Sequence, residues 1–155
     1  MRHALLCVLL VLSACDHRSA SVAPPPAAGD ALLIWVTGGG WTTLTVWPTG
    51  RARYEFKPTG WGSEGRAPSS HDGVIAPDDL LALMKTLAAH HACSLHAPSR
   101  LPVPEEHSNS LAVTTTEMNC RVEMLSGDWN DGDAGAVRLA LDAATQQVKE
   151  QAPRD

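Results

Sequence analysis

The chain reads as an α+β domain: an antiparallel sheet of about five strands in the order βββ-α-ββ-α, with two helices packed on one face. Segments with period-two alternation come in neighbouring pairs joined by turn residues, which predicts hairpins. Only two segments carry an apolar stripe at helical spacing, too few to alternate with the strands as βαβ units.

Ala31 to Thr37 is a continuous run rich in Leu, Ile, Trp and Val, which suits a buried strand. Gly38, Gly39 and Gly40 permit a tight reversal. Trp41 to Trp47 then alternates, with Leu44 and Val46 on one side and Trp41, Thr43, Thr45 and Trp47 on the other. Pro48, Thr49 and Gly50 supply a turn. The return strand, Arg51 to Lys57, sends Ala52, Tyr54 and Phe56 to the core and Arg51, Arg53, Glu55 and Lys57 outward. Pro58 to Ala76 is dense in Gly, Pro and Ser and reads as a long irregular loop.

Pro77, Asp78 and Asp79 mark a helix start, because proline fits the first turn and carboxylates suit the positive end of the dipole. Leu80, Leu83, Met84, Leu87 and His91 share one face of that helix, which ends near His91. A second Pro-rich passage covers Ser94 to Asn109. Leu111 to Thr116 and Cys120 to Leu125 read as a second hairpin, the latter alternating Cys, Val and Met against Arg and Glu. Asp131 or Asp133 can cap a final helix striped by Val137, Ala140, Leu141, Ala144 and Val148.

The amino-terminal end carries an address. Arg2 precedes a short apolar run, Ala4 to Leu12, that is too brief to span a bilayer, and Leu12-Ser13-Ala14 leads into Cys15. This arrangement resembles a bacterial lipoprotein signal. The resemblance implies cleavage of residues 1–14, lipidation of Cys15 as the new amino terminus, and a membrane-anchored protein in the cell envelope, facing the periplasm or the exterior. Residues 15–30, with three consecutive prolines, read as a tether, and residues 31–155 as a single domain. Removing residues 1–14 takes away only Arg2 among the charges and moves the formal net charge from −5 to −6. An acidic surface repels phosphate backbones, so nucleic acid is not an expected partner. With Cys7 in the signal and Cys15 lipidated, Cys93 and Cys120 remain as a pair that an oxidising compartment would join in a disulfide.

Several clusters bear on function. His90, His91 and His96 lie beside Cys93 and have zinc-capable side chains, but a disulfide would consume the thiolate. Asp128, Asn130, Asp131 and Asp133 surround Gly132 like a calcium loop, yet the glycine and the closing glutamate are out of register. Ser70, His71 and Asp72 are adjacent, whereas triads are assembled from separated positions. No nucleophile elbow, P-loop or HExxH sequence occurs, and the reading is non-enzymatic, without a cofactor. Five tryptophans against one Phe and one Tyr is a skewed usage. Trp41, Trp47, Arg51, Arg53 and Trp61 are therefore the candidate surface for an envelope protein partner, since Trp and Arg dominate binding hot spots. The competing expectation is that Trp61 and its loop cover that face.

One likeness concerns the body of the chain. A strand leading into Gly39-Gly40, an alternating hairpin with a Gly turn, and a helix opening on acidic residues and Leu80-Leu81 resemble small bacterial domains of the emfourin type. The likeness spans about residues 33–90 and implies inhibition of a metalloprotease; no inhibitory residue is carried over from it. A metal-binding envelope protein is the third reading.

Overall fold

Six strands form one antiparallel sheet in the computed structural model, which describes residues 30–58 and 64–152. The strands are β1 (Leu33–Thr37), β2 (Thr42–Val46), β3 (Arg51–Phe56), β4 (Ser69–Val74), β5 (Ser108–Thr114) and β6 (Asn119–Leu125). Helix α1 (Pro77–Ala89) follows β4, and α2 (Gly132–Glu150) follows β6. The sheet order is β4-β3-β2-β1-β5-β6, so four strands meander to one edge and the chain then crosses behind the sheet to add a hairpin on the other side of β1.

Alternation sorts the side chains by face. Leu33, Trp35, Leu44, Val46, Ala52, Tyr54, Leu111, Val113, Val122 and Met124 share one core with Leu83 and Leu87 of α1 and Val137, Leu141, Ala144 and Val148 of α2. Each large apolar side chain buried there contributes about 1.5–3 kcal/mol. At the centre Trp129, wholly buried, meets Trp35 edge to face with ring centroids 4.8 Å apart. The antiparallel α+β architecture read from the sequence is the observed one.

Four details differ from the sequence reading. Ser69–Val74, which the sequence places within a long loop, is strand β4, paired with β3 from Arg51↔Val74 to Phe56↔Ser69. Its helix-side positions are polar or small, so no apolar alternation betrays it: His71 stacks on Tyr54, and Gly73 leaves room for Val148 and Gln151 of the α2 end. His91 is off the core stripe because α1 stops before it, and its left-handed backbone (φ 48°) leaves the side chain exposed. The continuous apolar run of β1 is buried on its helix side only, with Ile34 and Val36 half-buried on the other. Asp131 stands at the α2 N-cap without making a side-chain capping bond, while Asp133 pairs with His90 at 2.8 Å.

Two devices fasten the parts that lack regular structure. Cys93 and Cys120, 27 residues apart in sequence, form a disulfide with Cα atoms separated by 5.5 Å, tying the segment after α1 to the start of β6. Chain-entropy reasoning gives such a closure about 3.5 kcal/mol. In the second Pro-rich passage, Arg100 grips Glu106 through both terminal nitrogens (2.8 and 2.5 Å) and Asp128 through Nε (2.6 Å). The backbone N–H groups of Val103 and Gly127 also donate to Glu106. The Arg100 hydrogen bonds, reinforced by those two amides, pull the Glu106 carboxyl down to about 2. Glu106 first, and then Asp128, in turn raise the Arg100 guanidinium through their hydrogen bonds. Among the described residues, no helix is long and apolar enough to cross a membrane.

Candidate binding face

Both helices lie on the core side, which leaves the other side of the sheet without a helical layer among the described residues. The strand registers set out its rows. One row runs Asp72, Arg53, Thr45, Ile34, Ala112, Arg121 from β4 to β6, and the next runs Ser70, Glu55, Thr43, Val36, Ser110, Glu123. Small and apolar side chains therefore occupy the middle strands, and charged ones occupy both flanks.

The flanks differ in chemistry. On the β3–β4 side, Arg53 Nε lies 3.7 Å from Asp72 Oδ1 and 4.0 Å from Glu55 Oε1, and Lys57 Nζ is 3.2 Å from Glu55. These groups neutralise one another. On the β6 side, Arg121 and Glu123 are exposed, and among the described residues neither forms an ion pair. A surface with a centre of apolar and small hydroxyl side chains and a charged rim has the anatomy of a protein-contact patch.

The residues singled out by the sequence fare differently. Arg53 lies on the face within its ion-pair group. Arg51, on the same strand face, is half-buried. Trp41 is half-buried at the entrance to β2, with the Arg66 guanidinium 5.8 Å from its ring centroid. Trp47 is a correction: it is only 4% exposed, so its ring adds nothing to the accessible surface. It follows the end of β2, where its N–H donates to Arg51 O and its carbonyl accepts from Gly50 in the turn. Trp61 and Cys15 lie outside the described residues. The sequence gives no sign of Ile34, Val36 and Ala112 as surface residues, because an apolar run does not show that among the described residues one of its faces carries no helix.

The other clusters resolve into structural pairs. His90 holds Asp133, and His96 Nδ1 lies 3.2 Å from the Ser94 carbonyl. Cys93 is bonded to Cys120, and among the described residues no group of three His, Cys, Asp or Glu side chains could hold a metal ion. In the acidic turn, Arg100 takes Asp128 and Arg138 takes Asn130. Ser70 and Asp72 share the open face, while His71 between them points to the core side, so the three cannot act in series.

The fold and this face define a small disulfide-linked α+β domain with a one-sided sheet. No protein-family model, curated protein or solved structure matches the chain.

Proposed function

We propose that the chain is a lipid-anchored, non-enzymatic binding module of the bacterial cell envelope, engaging a protein partner through the open face of its sheet. The observation that carries the reading is the row structure left without a helical layer among the described residues: Ile34, Val36, Thr43, Thr45 and Ala112, each half-buried, between charged flanks. The address rests on Leu12-Ser13-Ala14-Cys15, and the Cys93–Cys120 disulfide agrees with an oxidising compartment. Anchoring by two or more acyl chains would hold the domain durably, each buried CH₂ adding about 0.8 kcal/mol.

In vivo cross-linking tests the face. Ile34→Arg and Val36→Glu should abolish capture of a partner that wild type and Leu139→Arg both retain, Leu139 being an exposed residue of α2. An unchanged cross-linking pattern on folded Ile34→Arg and Val36→Glu removes the reading. Cys15→Ser tests the address: it should block palmitate incorporation and release the protein from the membrane fraction.

A further inference from the structure

The two edges of the sheet do not offer the same backbone. At β4, Gln151 acts as a substitute strand: its Oε1 accepts the Val74 N–H and its Nε2 donates to the Val74 carbonyl, both at 2.8 Å. That clamp covers one end of the edge only: Ile75 N–H donates to Gly50 O, so Ser70 and Asp72 also turn their backbone groups outward. At β6, the ladder geometry identifies which groups face outward. Thr115 N–H donates to Met118 O, and Ser126 N–H donates to His107 O, so even-numbered positions of β6 turn their backbone groups toward β5. The N–H and C=O of Asn119, Arg121, Glu123 and Leu125 therefore point away from the sheet. Among the described residues they have no hydrogen-bond partner. Asn119, Arg121 and Glu123 are also exposed.

The side chains beside that edge are complementary to themselves. In an antiparallel pairing with a second copy, centred on Val122, Arg121 falls opposite the partner's Glu123 and Glu123 opposite the partner's Arg121. Asn119 then meets the partner's Leu125. These are the positions with outward backbone groups, so each such pair exchanges two N–H···O bonds. Centring on Arg121 or on Glu123 instead places like charges opposite each other, which disfavours those registers. From the open edge and this charge symmetry we infer that β6 pairs with β6 of a second copy of the chain. The product is a two-fold dimer with one continuous sheet, in which the open faces of both copies form a single surface. An isologous contact of this kind closes on itself and leaves no further β6 edge exposed.

Native mass spectrometry of the full chain in mild detergent, across the micromolar range, tests the inference. Wild type should give a dimer. Arg121→Glu alone sets a carboxylate opposite the partner's Glu123, and Glu123→Arg alone sets two guanidinium groups opposite each other; each should weaken the dimer by about tenfold or more. The double variant Arg121→Glu/Glu123→Arg restores both pairings and should restore the dimer, as should an equimolar mixture of the two single variants. Circular dichroism and an intact disulfide establish that each variant is folded. A wild type that stays monomeric overturns the inference. So does a dimer indifferent to the single reversals, or single-variant losses that neither the double variant nor the mixture repairs.

Discussion

The β4 and β6 strands border the same sheet, yet β4 is clamped at its Val74 end by the protein's own Gln151 side chain, while among the described residues β6 has no such clamp. At β4 the end of α2 reaches over Gly73 and clamps Val74, and Arg53, Glu55 and Asp72 satisfy one another's charge. At β6 the helix-side residues Val122 and Met124 are buried, but the outward backbone and the Arg121 and Glu123 side chains have no such partners among the described residues. An unprotected edge invites strand addition, and β6, with no such clamp and with Arg121 and Glu123 placed symmetrically about Val122, is the edge whose charges favour pairing with a copy of itself.

Breaking each side in turn sharpens this contrast. The largest effect belongs to the β6 side: Cys93→Ser/Cys120→Ser should cost about 3.5 kcal/mol of unfolding free energy in a urea titration. On the β4 side, Gly50 sits at φ 80° with its carbonyl accepting the Ile75 N–H, and a Cβ there would lie 2.6 Å from Ile75 O. Gly50→Ala should therefore destabilise by about 1–3 kcal/mol, read as a lowered thermal midpoint. Gln151→Ala removes the clamp and should cost about 1 kcal/mol, with the Val74 amide exchanging faster while the β6 amides are unaffected.

The smallest effect is a local one and depends on pH. Glu106 is held below its ordinary carboxylate value near 4.5, at about 2, so the stability it contributes is present above pH 4.5 and is lost as pH falls toward 2. The Gly127 amide, which donates to Glu106, should lose exchange protection over that window, and Glu106→Gln should abolish the pH dependence.

Much of the fold was legible because its elements carry local periodicity: the Arg51 to Lys57 alternation, the α1 and α2 stripes, and the cysteine pair. What escaped depended on partners distant in sequence. β4 has polar and small residues on its core side because Gln151 and Val148, more than seventy residues away, complete that edge. Arg100, Glu106 and Asp128 lie in stretches without periodicity, and only the fold brings them together. Trp47 alternates in step with Thr43 and Thr45, but the pattern outruns the strand, which ends at Val46. The rows of the open face were hidden for a related reason: placing Arg53, Ile34 and Arg121 in one line requires the order β4-β3-β2-β1-β5-β6, which no local pattern encodes. Likewise, the symmetry of Arg121 and Glu123 about Val122 gains meaning only once β6 is an edge.

Amide hydrogen exchange, followed residue by residue over a range of protein concentrations, tests the central contrast most directly. The account predicts that the Arg121 and Glu123 amides exchange quickly in dilute solution and become protected as the concentration rises, while the Val74 amide stays protected throughout. Arg121 and Glu123 amides whose exchange does not change with concentration, whether fast or slow, would contradict it.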